Sequence, residues 1–259
     1  MKTVTNLLLS PRLIQIAFVL LLLLCWHLVT VSGSVSPLFL PPLNAVYDQL
    51  VAVISAGTVL EALGTTLRTV AIAYSISLTL GVLTGFAVTQ SRYLSRLFEP
   101  LFASVFAIPL TLLFPLFLLF FGIGPESKMA YGATYSFFPI VLNTISGLSQ
   151  VDARFIASAR SMGASRALLF RRVQLPGALP VILSGLRVGF FICFAAVLGG
   201  ETLSSVSGLG HEIASAAQLM ESARMFAWIL VVIATASVLV VLAGFAERGR
   251  RDLQRGGSA

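Results

Sequence analysis

Three features of the sequence predict an all-α polytopic membrane protein. The first is composition: of 259 residues, 57% are hydrophobic and only 10% charged, with a mean hydropathy of +0.96. A soluble domain is roughly a quarter charged. The second is the grouping of apolar residues into charge-poor runs near or above the ~20 residues a helix needs to cross hydrocarbon. The third is that these runs are continuously apolar rather than alternating, which disfavours a barrel. Backbone groups in lipid must pair within their own segment, so the runs are read as helices.

Six spans follow in order: Leu13–Val31, Thr69–Ser91, Pro100–Pro125, Met129–Val151, Val173 through Arg187 to Gly200, and Met225–Ala246. Six crossings put both termini on one side. The opening "MKTVTNLLLSPR" and the later "VSGSVS" imitate a signal peptide. The apolar run between them exceeds the 7–15 residues of a signal core, so it is read as a retained first helix.

The net charge of +7 would suggest nucleic acid in a soluble protein. Here the cations are sorted by side instead, and no nucleic-acid partner is expected. Lys2, Arg12, Arg92, Arg96, Arg154, Arg160, Arg166, Arg171, Arg172, Arg248, Arg250, Arg251 and Arg255 fall on one side, Lys128 and Arg224 on the other. The positive-inside rule makes the crowded side, with both termini, cytoplasmic. Cys25 and Cys193 lie inside apolar runs and are read as packing residues, with no disulfide or metal set.

The segment after the fourth span is the exception to this apolar plan. Asp152 can cap a short helix, "ARFIASARSM", on which Phe155, Ile156, Ala159 and Met162 share a face. Gly163 can end it in a left-handed cap. Ser165 can cap a second helix, "RALLFRRV". Pro176 and Pro180 follow at the start of the fifth span, where proline is tolerated in a first turn and bends the helix beyond it. By geometry alone this reads first as an interfacial helix anchored by arginine to anionic membrane lipid.

The spacing is more specific. Ala157-Ser158-Ala159, three residues, Gly163, nine residues, then Val173-Gln174-Leu175-Pro176 resembles the coupling motif of ABC importer permeases, EAA, three residues, G, nine residues, I-x-LP. Ala157, Ser158 and Val173 depart from that pattern. The run "IPLTLLFPLFLLFFGIGPESKMAYGATYSFFPIVLNTISGLSQ" and the later "GLGHEI" resemble, in the same order, the binding-protein-dependent type I permeases of nitrate, sulfonate and taurine importers.

That resemblance implies a type I, MetI-like core over residues 61–247. Residues 1–60 would supply an N-terminal tail, a peripheral helix and an outer loop, and 248–259 a basic cytoplasmic tail. It implies a bacterial cytoplasmic (inner) membrane location and two copies of an ABC ATP-binding subunit below. A second copy of the permease would stand beside the first, with a periplasmic or lipid-anchored substrate-binding protein above. It also implies that Ala157, Ser158, Ala159, Arg160, Gly163, Ala164, Arg166, Leu175 and Pro176 form the surface that meets the ATPase.

The chain has no GxxxxGK[ST] phosphate loop and no Ser/His/Asp set. ATP and Mg are therefore expected on the separate ATPase, with no cofactor bound here. His27 and His211 are read as packing or interfacial residues. Arg187, midway along the fifth span, is a functional candidate because a charge at that depth is expensive. Arg68, at the outer edge of the second span, is a candidate on the same grounds. Pro109 and Pro115 in the third span and Glu201 near the outer end of the fifth complete the candidate translocation pathway. Gly81 with Gly85, and Gly185 with Gly189, have the small-xxx-small spacing of close helix packing. The expected substrate is a small anion such as nitrate, an alkanesulfonate or taurine, the alternative being a vitamin or pyrimidine precursor. A secondary transporter would need a repeated architecture with broken helices, and no internal repeat is seen.

Overall fold

The computed structural model describes residues 11–256, and every regular element among them is helical. Lys2 and the end of the basic tail, residues 257–259, lie outside them. The elements are α1 (Pro11–Val31), α2 (Leu43–Ser55), α3 (Thr58–Thr89), α4 (Arg92–Phe106), a 3₁₀ turn (Leu110–Leu113) and α5 (Phe114–Phe121). They continue with α6 (Pro125–Ser149), α7 (Ala153–Ser161), α8 (Arg166–Leu169), a π turn (Phe170–Gln174), α9 (Leu175–Leu203), α10 (Leu209–Gln218) and α11 (Ser222–Gly256). The chain divides into two compact units. Among the described residues one holds 11–60 and 212–241, the other 61–211 and 242–256.

In the first unit, α1 is apolar all round and its leucines are exposed on every side. Such a helix needs an apolar solvent, which a membrane provides. Trp26 donates from Nε1 to the Pro41 carbonyl at 2.9 Å and meets the Phe226 ring edge-on at 5.0 Å. Ser222 donates from Oγ to the Leu38 carbonyl.

In the second unit, α6 is the central helix, and α9 packs along it. Ile140, fully buried, is the wedge between its neighbours. A Cβ on Gly81 of α3 would lie 2.7 Å from Ile140 Cγ2, and one on Gly189 of α9 would lie 2.6 Å from Ile140 Cγ1. Gly85 and Gly185 meet Thr144 and Asn143 in the same way. The two small-residue pairs read from the sequence thus seat α3 and α9 on one partner.

Among the described residues four helices are long and apolar enough to cross a membrane: Leu13–Val31, Thr58–Thr89, Arg166–Leu203 and Ser222–Gly244. The six expected spans differ from this at two places. The third is not a single helix. Arg92–Phe106 and Thr111–Phe121 are bent by 75°, because Pro109 has no N–H to continue the ladder and instead caps the 3₁₀ turn. Pro115 sits in the first turn of α5, where its missing N–H costs nothing. Aromatic contacts hold this break onto α6, with Phe114 and Tyr131 5.1 Å apart and Phe106 and Phe138 5.9 Å apart. The expected fourth span, α6, has 25 residues and is long enough, but it is less apolar than those four. It carries Lys128, Ser136 and Thr144, and it tolerates them because the neighbouring helices bury them.

Candidate functional site

The segment from Asp152 to Pro176 folds as its sequence predicts. The Asp152 carboxylate accepts from Arg154 N–H at 2.8 Å and from its guanidinium at 2.8 Å, closing the first turn of α7. These bonds hold the Asp152 carboxyl below the usual carboxylate range. At the other end Gly163 has φ +79°, a conformation that costs an L-residue about 1–2 kcal/mol. Gly163 N–H donates to the Arg160 carbonyl at 2.9 Å and Ala164 N–H to the Ala159 carbonyl at 3.0 Å. These are the two bonds of a Schellman cap. Ser165 Oγ then accepts from Leu168 N–H at 3.3 Å and starts α8.

Beyond α8 the ladder shifts to i→i−5, with Leu175 N–H bonded to the Phe170 carbonyl. The cause is the next residue: Pro176 cannot donate to Arg172, so the turn widens before α9 begins. With this local widening, Arg166–Leu203 still runs as one helix of 38 residues, about 57 Å long at 1.5 Å per residue.

Ala159 is the one buried member of the face shared with Phe155, Ile156 and Met162. Phe155 is 67% and Met162 82% exposed. Ala157, Ser158, Arg160, Gly163, Arg166 and Pro176 are also exposed, while Ala164 and Leu175 are half-buried. The turn presents apolar and basic side chains outward and keeps its backbone bonds inward.

At the far end of α9, Glu201 is 3% exposed. Thr66 Oγ1 donates to its carboxylate at 2.9 Å, and Gly210 N–H donates to Oε2 at 2.9 Å. Thr66 Oγ1 also accepts from Leu209 N–H at 2.9 Å. Glu201, read from sequence as a pathway residue, is thus enclosed by the chain. Lys128, read as an outer-loop cation, is 1% exposed and donates from Nζ to the carbonyls of Ile123 and Gly124. Sequence reasoning missed Thr66 and the burial of Lys128. The only available signal was the "GLG" run at Gly208, whose φ is +106° and whose Cβ would lie 2.5 Å from the Glu201 carboxyl carbon.

The remaining candidates do not converge on one point. Arg187 is half-buried on α9 and already engaged within the chain. Nearby, Tyr74 of α3 donates from its hydroxyl to the Leu186 carbonyl at 3.0 Å and packs edge-on against Phe190 at 5.3 Å. Arg68 is exposed on α3, and Pro109 and Pro115 are exposed at the break between α4 and α5. Cys25 and Cys193 are free thiols. No group of His, Cys, Asp and Glu suited to a metal occurs among the described residues.

A bundle of apolar helices in which an exposed basic turn feeds directly into a span has the build of a transport permease. The chain belongs to the family of binding-protein-dependent transport system inner membrane components, whose shared region matches residues 77–252. It is 30% identical to the taurine transport system permease protein TauC of Escherichia coli (strain K12) over 247 residues, 93% of this chain and 87% of that one. It is 29% identical to the putative aliphatic sulfonates transport permease protein SsuC of Bacillus subtilis (strain 168), covering 80% and 75%. It is also similar to the riboflavin transport system permease protein RibX of Chloroflexus aurantiacus, 34% identical over 61% of this chain and 59% of that one. The fold matches a chain of the MetNI methionine ABC transporter in an inward-facing conformation, with TM-score 0.51 and 23% identity over 74% of this chain and 91% of that one. The fold is therefore that of a MetI-like type I importer permease. The chain is a multi-pass membrane subunit of an ABC importer, a family that works with an ATP-binding subunit and a substrate-binding protein.

Proposed function

We propose that residues 153–176 are the surface through which a separate ATPase drives this permease, and that the cargo is a small anion. One observation carries the first part: Phe155 and Met162 stand 67% and 82% exposed on a cap-closed turn, between arginines, with no cover from their own chain. Such apolar groups on a basic loop suit a partner's cleft. The small side chains of Ala157, Ser158 and Ala159 let that partner approach closely. Arg154, Arg160 and Arg166 offer donors to its carboxylates or carbonyls.

On this reading ATP and Mg reside on two copies of the ATP-binding subunit, and this chain binds no cofactor and hydrolyses nothing. Two copies of the chain enclose the pathway, and a soluble binding protein delivers the cargo from the opposite side. The transport core is residues 61–247, with 1–60 as its peripheral part and 248–259 as the basic tail. Both termini and the turn at Gly163 are cytoplasmic, a reading that the arginine distribution supports.

A cargo bearing an anionic sulfonate group is supported by the relatives named for taurine and aliphatic sulfonates, which align over most of the chain. Arg187 and Arg68 supply positive charge within the spans. Glu replacements at Phe155 and Met162 test the coupling surface, because neither side chain is buried in its own chain. The variant is expected to be made in normal amount but to lose its ATP-binding subunit on purification. Normal co-purification with normal uptake would refute the surface. Arg187→Gln tests the cargo. Uptake per assembled complex in proteoliposomes should fall more steeply for a sulfonate than for a neutral solute. An unchanged value would end the role of Arg187 in steering.

A further inference from the structure

We propose that Glu201 is a positioning residue for transport. It makes the turn between α9 and α10 part of the α9 rod, so that movement begun at the Gly163 turn arrives at the opposite mouth of the same chain. This rests on the coupling reading above for where the movement starts. Three observations support it.

First, one 38-residue helix runs from Arg166 to Leu203. The Ser165 cap stands at one end and Glu201 in the last turn of the other. Second, Glu201 joins three elements. Its carboxylate takes a proton donor from Thr66 on α3 and another from Gly210 on α10, and the Thr66 hydroxyl in turn holds Leu209 N–H. The fit has no slack: a Cβ on Gly210 would lie 2.7 Å from Glu201 Cβ and would also collide with the Leu198 carbonyl. Third, Glu201 and Lys128 line one cavity of about 30 Å³ with Thr65, Thr69, Ser205 and Ser207, a space of water size. Lys128 in turn fixes the carbonyls before α6.

A carboxylate enclosed in this way is not displayed to a passing solute. Its oxygens are engaged by the chain, and breaking any link would leave a buried polar group short of a partner. The junction therefore has one favourable arrangement and moves as a block with the end of α9. The other end of the rod has the opposite character. Its π turn and Pro176 allow local adjustment, so the ATPase can tilt the rod without tearing its cap.

The test uses the whole transporter in proteoliposomes, with Cys25→Ser and Cys193→Ala in the permease and Ser205→Cys as reporter. Ser205 is half-buried beside Glu201. An impermeant maleimide labels it from the binding-protein side, without nucleotide and with a non-hydrolysable ATP analogue. The labelling rate is expected to differ by about fivefold or more between the two states, the lower end of ordinary site-to-site coupling. With Thr66→Val or Glu201→Gln added, in matched amounts of assembled complex, the difference should shrink to less than about twofold. Thr66→Ser keeps the hydroxyl and should keep the response. Labelling that ignores nucleotide in the reporter parent would overturn the proposal. So would a full response in Glu201→Gln, or an equal loss in Thr66→Ser and Thr66→Val. Failure of the parent to retain its ATP-binding subunit would overturn the coupling reading, and this proposal with it.

Discussion

At one end of the Arg166–Leu203 rod the chain closes a turn with Gly163 and leaves every neighbouring side chain but Ala159 and Leu169 at least partly in the open; at the other it closes a turn with Gly208 and packs a carboxylate against it. A Cβ at Gly163 would meet nothing within 4 Å, while one at Gly208 would lie 2.5 Å from Glu201. The first turn is fixed by bonds within a dozen residues. The second is fixed by the hydroxyl of Thr66, 143 residues before Leu209 in sequence. A turn made to be gripped by another protein keeps its bonds local and its side chains free. A turn made to move with a helix ties itself to that helix.

Substitutions that add one methyl group separate the two ends most sharply. Gly210→Ala should be the most damaging, because its Cβ collides with the Leu198 carbonyl and Glu201. Overpacking of this kind costs about 1–3 kcal/mol or more, and the thermal midpoint of the purified chain in detergent should fall. Gly163→Ala has space and suffers only the φ penalty of about 1–2 kcal/mol. It should lower the thermal midpoint less than Gly210→Ala does, and lower uptake. Equal midpoints for the two variants would erase the distinction.

Thr66→Val is the next in size. It removes a buried donor from a carboxylate at a cost of about 1–3 kcal/mol, and Thr66→Ser should recover most of it in the same thermal assay.

The Gly163 turn can be probed more finely. Asparagine enters the left-handed region more readily than a β-branched residue. Gly163→Asn should therefore retain more uptake than Gly163→Val, and the reverse order would show that contact with the partner, rather than φ, sets the requirement.

The smallest effect is that of pH on Asp152. Its carboxyl is held below the ordinary range by Arg154, so its contribution to the cap is complete above the ordinary carboxylate pKa. It is lost only as pH falls through the lowered folded value. Hydrogen exchange at Phe155 and Ile156, corrected for intrinsic rate, should be flat from neutral pH down to the ordinary carboxylate range and rise only below it. A rise beginning near neutrality would contradict this.

The same contrast explains what the sequence could disclose. Asp152, Gly163, Ser165 and Pro176 act on backbone groups a few residues away, so their roles were legible from spacing and residue type. The pairs Gly81/Gly85 and Gly185/Gly189 were legible as close-packing sites, but not the fact that Ile140 stands between both helices. The burial of Glu201 and Lys128 was not legible. A charged residue at a span's edge normally faces water, and only the folded chain shows Thr66 and the Ile123–Gly124 carbonyls closing over them. The break at Pro109 was visible as a possible kink, but its 75° size depends on aromatic packing against α6. The polarity of α6 became intelligible only once its neighbours were seen to bury it.

The account turns on which proteins meet the two ends of α9. In an assembled transporter whose permease lacks Cys25 and Cys193, a photo-crosslinker is attached to a single cysteine replacing either Ser158 or Ser205. Crosslinks from position 158 should capture the ATP-binding subunit, and those from position 205 the soluble binding protein. Capture of the binding protein from position 158, or of the ATP-binding subunit from position 205, would contradict the account.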